Sequence, residues 1–397
     1  MSLLNVPILL LLLALGLPSV VACLYLLVQT LMSASLPAAA RSARQLRFDI
    51  IVPAHNEAAV IAHTVANLRR IDWPADRYRI LVIADNCGDA TASLAAAAGA
   101  TVLERFDATL RGKGYALLAG FQRSRDDARA DAVAVVDADA EVSPNLLEAF
   151  AARLEQGAHA VQVHYGVLNP WGSWRTRLLT VAMAAYHVVR SRARERQQVS
   201  CGVRGNGWCV THQLLNDVPY GAFSLAEDVE YGIALGVAGY RVYYAGEADA
   251  SQDMTTSPEA AGKQRQRWER GRFQLIRSST WPLLQAAWRR RSAVCLDLAL
   301  DLLVLPISYV ALGVGALLLT ALLATCWSAA FTPWIWLALG CVLVLAAYVL
   351  RGWQLSGTGA RGLLDLLGAP VFVIWKLLLM LSRQRSTEWV RTERKRS

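Results

Sequence analysis

The chain has 397 residues, 55% of them hydrophobic, and a net charge of +9. A mean hydropathy of +0.31 is too high for an ordinary soluble enzyme, and the length suits one large domain or two medium ones. The basic surplus fits membrane-helix flanks, anionic headgroups or nucleotide phosphates. No basic-aromatic module points to nucleic acid, and the seven cysteines show neither zinc-ligand spacing nor a disulfide framework.

Residues 6–32 carry no charge and are mostly Leu, Val and Ala. That length suits a membrane-spanning anchor and is too long for a cleaved signal peptide, which would also be preceded by basic residues. Arg41, Arg44 and Arg47 follow at once, which places the C-terminal side of this helix in the cytosol.

From residue 47 the pattern alternates. Strands are expected at 48–53, 79–84, 101–104, 132–136 and 158–164, with helices at 57–70, 89–98, 114–124 and 144–155. Such alternation predicts a wound, mainly parallel α/β sheet. In these sheets ligands sit at the carboxyl ends of strands, where Asp85 and Asp137 fall.

Asp85 is placed to accept bonds from a base or ribose, while Asp89 suits a helix cap. Arg111-Gly112-Lys113-Gly114 is a basic turn before a helix. Its amides and Lys113 suit a base or phosphate, or Lys113 is a plain surface lysine. Asp137-Ala138-Asp139 ends an apolar strand. Alternate carboxylates there suit a shared Mg²⁺ or Mn²⁺, with diphosphate oxygens completing the shell; the competing reading is a solvated turn. Gly205-Asn206-Gly207-Trp208 is either an acceptor-sugar platform or a turn into a strand at 208–210. Glu227-Asp228 opens a helix, either as acids favourable at an N-terminus or as a general base.

Gln264-Arg265-Gln266-Arg267-Trp268 admits two readings. Arg267 is suited to a forked bond with a phosphate and Trp268 to stacking on a sugar. Alternatively the run is a basic amphipathic helix on a membrane. Residues 281–291 hold two tryptophans and three consecutive arginines and suit a surface-lying helix. Further spans are expected at 302–325 and 331–350. Residues 363–381 contain Asp365, Pro370 and Lys376 and read as interfacial or re-entrant, leaving the basic tail in the cytosol. Asp297 and Asp301 sit at a helix entrance, where an interfacial role suffices.

In order, these motifs resemble glycosyltransferase family 2, in particular its membrane-bound branch of cellulose, chitin and hyaluronan synthases and bacterial exopolysaccharide enzymes. The matching runs are Val52-Pro53-Ala54-His55-Asn56-Glu57, Asp85-Asn86, Arg111-Gly112-Lys113-Gly114, Asp137-Ala138-Asp139, Glu227-Asp228 and Gln264 to Trp268. The resemblance implies an A-type nucleotide-sugar fold, with Pro53, Glu57, Asp85 and Lys113 about the nucleotide and Asp137 and Asp139 handling metal and diphosphate. It also implies Asp228 as base beside Glu227, and Gln264, Arg267 and Trp268 holding diphosphate and acceptor; Gly205 and Asn206 are candidate substrate contacts from the bend alone. Ala226 stands where many relatives carry Thr before Glu-Asp.

The implied reaction is inverting, Mg²⁺- or Mn²⁺-dependent sugar transfer, with a UDP-sugar as the commoner donor. The acceptor would be a lipid-linked or polysaccharide one at the membrane, in envelope or exopolysaccharide synthesis and alongside other polysaccharide-assembly proteins. A processive synthase and a non-catalytic scaffold are the alternatives. The expected layout is an anchor (1–46), a cytosolic transferase domain (47–280), an interfacial helix (281–301), two spans (302–350) and an interfacial tail (351–397), all in the inner membrane.

Overall fold

The computed structural model describes residues 5–255 and 257–369. A long apolar helix α1 (Asn5–Leu31) comes first. The sheet region then runs β1 (Phe48–Ala54), α2 (Ile61–Leu68), β2 (Tyr78–Asp85), α3 (Thr91–Ala97), β3 (Thr101–Arg105), α4 (Lys113–Asp127), β4 (Ala132–Val135), β5 (Ala140–Val142), α5 (Leu146–Leu154) and β6 (Ala160–Val167). Helices α6 (Trp174–Met183) and α7 (Arg190–Arg196) follow, then β7 (Trp208–Thr211), α8 (His212–Asp217), α9 (Glu227–Ala238) and β8 (Tyr243–Gln252). The chain continues through α10 (Pro258–Arg290), α11 (Ala293–Leu303), α12 (Ile307–Trp327), α13 (Thr332–Leu355) and α14 (Gly359–Asp365).

The eight strands form one sheet in the order β3-β2-β1-β4-β7-β6-β8-β5. The β3-β2-β1-β4 half is parallel, as the alternation predicts. Its strands β1, β2 and β4 are short apolar runs buried on both faces, the pattern parallel strands require, while β3 at the edge is partly exposed. The other half is mixed: β7 runs antiparallel to β4 and β6, and β5 antiparallel to β8, while β6 and β8 are parallel.

Several expected boundaries move. The helix expected at 57–70 starts at Ile61, because the amides before it are engaged elsewhere. Glu57 N–H donates to Thr91 Oγ1 (2.7 Å) and Ala58 N–H to Asp89 Oδ2 (3.2 Å). The segment at 281–291 is not a separate helix but the last turns of the 33-residue α10, so the expected break at 280 falls inside one element. Leu302 belongs to α11, and the second expected span begins only after Pro306, whose missing amide suits a helix start.

Among the described residues three helices, Asn5–Leu31, Ile307–Trp327 and Ala329–Leu355, are long and apolar enough to cross a membrane. They pack together through Leu12, Leu26, Leu317, Ala321 and Tyr348, among others. The expected interfacial helix at 363–381 begins in α14 and a short turn to Gly368; its remainder and the basic tail lie outside the described residues.

Asp297 and Asp301 are not free acids at a helix entrance. Both are buried and paired with arginines. Arg194 Nε lies 2.5 Å from Asp297 Oδ2 and Arg190 Nη1 lies 2.8 Å from Asp301 Oδ1. Arg190 also donates to Tyr348 Oη on α13, and Tyr25 of α1 donates to both aspartates. Burial alone would push Asp301 up; Arg194, with Arg204, Arg190 and Arg272, instead holds it well below the carboxylate range. This network joins the long apolar helices to the helices beside the sheet.

Candidate active site

The site gathers at the carboxyl ends of β1, β2 and β4. On the β2 side, Asp85 is the buried last residue of its strand. Arg105, ending β3, places Nη1 2.6 Å from Asp85 Oδ1. His55 Nδ1 lies 2.7 Å from the Asp85 carbonyl. Asn86 adopts a positive φ of 51°, and its Oδ1 accepts the Asp107 N–H at 2.9 Å. Asp107 is drawn down to about 2 by the Leu110 and Thr109 amides it accepts. These bonds fix the loop that delivers Gly112 and Lys113 to the start of α4. Asp89 accepts the Thr91 N–H (3.0 Å), a side-chain turn just ahead of α3 that resembles the expected cap.

On the β4 side, Lys113 Nζ reaches across to Asp137 Oδ1 (2.5 Å), the Gly205 carbonyl (2.7 Å) and Glu227 Oε1 (3.7 Å). The basic turn, the Asp137-Ala138-Asp139 run, the glycine bend and the start of α9 therefore meet around one ammonium. Gly114 makes the approach of α4 possible, because a Cβ there would lie 2.3 Å from the Ala222 carbonyl. Gly205 combines φ +85° with proximity to the base, since an added Cβ would sit 3.2 Å from Asp228 Oδ2.

Asn206 does not line the site. It is fully buried, with Oδ1 accepting the Asp137 N–H at 3.0 Å. It holds the bend against β4 and so positions Asp137. Trp208 is buried in the core beneath and offers no platform for a sugar.

Glu227, Asp228 and Glu230 occupy the first turn of α9, where the helix dipole favours carboxylates. Burial pushes Glu227 up to about 7, with Lys113 opposing and Asp228 reinforcing the rise. Burial also raises Asp228, against the pull of Lys113. For Lys113 burial would lower the pKa, but Asp137 and Glu227 outweigh it and the ammonium is held more firmly. Carboxyls raised in this way are better proton acceptors near neutral pH than ordinary surface carboxylates.

Helix α10 docks on this turn. A Cβ at Gly271 would come within 2.9 Å of Ala226 Cβ and 3.1 Å of its amide. The Ala at 226 thus sits at a tight crossing, and Arg267 and Trp268 lie one turn back from it. Tyr165, on β6, is buried near these groups. Burial raises its phenol strongly, Asp137 and Asp228 raise it further, and Arg267 opposes. The ring therefore lies within electrostatic reach of one arginine and both carboxylates. Gln264, Arg267 and Trp268 are half-buried, as are Pro53 near the end of β1 and Glu57 in the loop beyond it.

Reasoning from the sequence missed Arg105, Tyr165 and Arg204. Arg204 is buried, directly precedes the glycine bend, and pulls Asp228 downward. Its place beside that bend was the available signal; Tyr165 and Arg105 each stand one residue past an expected strand and carry no mark of their own.

Among the described residues no three His, Cys, Asp or Glu side chains converge as a complete metal cage. Asp137 and Asp139 supply two hard oxygen donors at one strand end, and Asp137 already holds a cation, the Lys113 ammonium. That donor set fits a hard divalent ion bound through one or two carboxylates and substrate phosphates.

A parallel half-sheet with charged residues at its carboxyl ends, continued by an antiparallel-containing half, defines an A-type glycosyltransferase fold. A mannosyltransferase from Pyrobaculum calidifontis, solved with GDP-Man and Mn²⁺, shares this fold at a TM-score of 0.51 and 17% identity, covering 86% of this chain and 97% of that one. The family described as Glycosyltransferase like family 2 matches residues 45–271, and the chain belongs to it. Relatives include a probable glycosyltransferase, YdaM, of Bacillus subtilis (24% identical, covering 57% of this chain and 55% of that protein). Another is a beta-monoglucosyldiacylglycerol synthase of Synechocystis (27% identical, covering 57% of this chain and 47% of that protein). The chain spans about half the length of these curated relatives.

Proposed function

We propose that this glycosyltransferase moves a sugar from a nucleoside-diphosphate donor to a hydroxyl of a membrane-associated acceptor, with inversion at the anomeric carbon. The observation that carries the reading is the meeting of Asp137, Lys113 and the Glu227-Asp228 turn under α10.

Asp85 and Arg105, with Pro53 and Glu57 nearby, form the nucleoside end. Asp137 and Asp139 would hold Mg²⁺ or Mn²⁺, which when bound supplies positive charge to the diphosphate. Lys113 pairs with Asp137 and adds positive charge of its own. Arg267 brings a guanidinium to the diphosphate, and Gln264 and Trp268 border the acceptor. Asp228 takes the proton of the acceptor hydroxyl as its oxygen bonds to the anomeric carbon. The bond from that carbon to the diphosphate oxygen breaks, and the electron pair leaves with the nucleoside diphosphate. Attack opposite the leaving group inverts the centre. Gly205 leaves room beside Asp228 for the approaching hydroxyl.

Three apolar helices beside the site, and relatives named for a glucosylated diacylglycerol, support an acceptor in the bilayer. With 41–47 basic, they also support a site on the cytosolic side of the inner membrane. The test is nucleoside-diphosphate release by the full chain from UDP-, GDP- and ADP-sugars, with and without membrane lipid extract. One donor consumed only when lipid is added is the expected result. Turnover of none of them, with or without lipid, contradicts the reading.

A further inference from the structure

The end of α10 carries a feature the transfer reaction does not use. Trp281, Leu284 and Trp288 fall at i, i+3 and i+7, one stripe of a helix. The opposite face of α10 is occupied: Leu275 and Leu283 pack into a core with Ile233, Leu298 and Leu302. Trp281 and Trp288 have no such cover, at 66% and 87% exposed, while Leu284 between them is half-buried and packs against that core. The following helix α11 supplies a second wall through Leu296, 47% exposed, and the two walls enclose a groove of about 750 Å³.

Arg289 and Arg291 stand at its rim, and the described lining contains no carboxylate. Arg290, between them, turns away and donates to the Val237 carbonyl, fixing the helix end. The groove is thus apolar along its length and cationic at one end. Helix α11 hands the chain to the apolar α12 after a three-residue break at 304–306. At 1.5 Å per helical residue the groove lies roughly 15 Å along α11 from that break.

We propose that this groove seats one anionic phospholipid, its phosphate between Arg289 and Arg291 and an acyl chain along Trp281, Leu284, Trp288 and Leu296. Aromatic rings with arginines at their flank suit a bilayer interface, and the one-signed rim selects an anionic over a zwitterionic headgroup. The proposal rests on the membrane reading of α1, α12 and α13, and not on the identity of the donor or acceptor.

The experiment uses the full chain in micelles holding equal phosphatidylglycerol and phosphatidylcholine, with bound lipids counted by native mass spectrometry. An arginine near an anionic surface is worth a factor of about five, so retention of phosphatidylglycerol should exceed that of phosphatidylcholine roughly tenfold or more. Arg289→Gln with Arg291→Asn should remove the preference, and Arg289→Lys with Arg291→Lys should keep most of it. Equal retention of both lipids by the native chain overturns the seat. So does a preference unchanged in the Gln/Asn variant, or a doubled mass with no lipid, which would make a second copy the occupant. A chain that stays in solution without detergent or vesicles would overturn the membrane reading as well.

Discussion

Lys113→Met is the perturbation that most exposes the electrostatics of the site. The native ammonium lies 2.5 Å from Asp137 and 3.7 Å from Glu227, and burial still drives Glu227 from 4.5 to about 7. A carboxyl raised in the folded state favours folding while protonated, and that advantage is lost as pH rises from its unfolded value through its folded one. For Glu227 the window is about pH 4.5 to 7, and the loss is about 3 kcal/mol at 1.36 kcal/mol per unit. Without Lys113 the titration moves above 7 and the loss grows. Asp137 also loses its partner, but its side chain is 22% exposed, so water limits that cost to about 1 kcal/mol. The variant should therefore be about 1 kcal/mol less stable than the native chain at pH 5.5, and about 2–4 kcal/mol less stable at pH 8.5. Thermal unfolding in detergent, followed by tryptophan fluorescence at both pH values in chelator, reads this directly. Mn²⁺ should restore part of the loss at pH 8.5, since a ligand that binds only the folded state stabilises it. Equal melting of variant and native chain at pH 8.5, or a larger deficit at pH 5.5, would refute the reasoning.

Other substitutions probe the frame. Arg79 grips the fully buried Asp49 with two bonds, Nε to Oδ1 at 2.9 Å and Nη2 to Oδ2 at 2.6 Å. Arg79→Met should cost about 3–5 kcal/mol by stranding that charge, seen as a lowered melting temperature that the apolar volume of Met does not recover. Asp301→Asn leaves Arg190, Arg194 and Arg204 short of their shared carboxylate. It should destabilise by a similar 3–5 kcal/mol and raise susceptibility to protease in detergent; protection equal to the native chain would show the network to be dispensable. Gly114→Ala must displace the 222–223 backbone and should lower transfer rate more than nucleotide affinity; an unchanged rate would mean that this approach does not set the site.

The parallel half of the sheet and the order of its motifs were legible because each strand is a short apolar run closed by a carboxylate or a turn. In the second half β6 and β7 were legible, at 158–164 and 208–210, but β8 and β5 were not. Strand β8 includes Gly246, Glu247 and Asp249, which interrupt any apolar run, and β5 has three residues. Long-range pairing, rather than local pattern, makes both into strands. The site residues announced themselves when they stood in charged or glycine-rich runs, as with Lys113, Asp137 and Asp228. Arg105 and Tyr165 gave no such mark, since each acts through a neighbour that only the fold supplies. Asn206 was recognisable as part of a bend, but whether its amide faced a substrate or the Asp137 backbone depended on burial. The single helix α10 was hidden by Pro282, which it accommodates, and the arginine–aspartate network by the distance in sequence between its members.

The central claim is that Asp228 takes the acceptor proton during sugar transfer. The direct measurement is Asp228→Asn, with nucleoside-diphosphate release and donor binding followed side by side on the same preparation. Loss of the carboxylate base should cost about 10² to 10⁴ in rate while donor affinity stays within a few-fold of native. A variant that keeps native turnover, or one that loses donor binding in proportion to activity, would contradict the account.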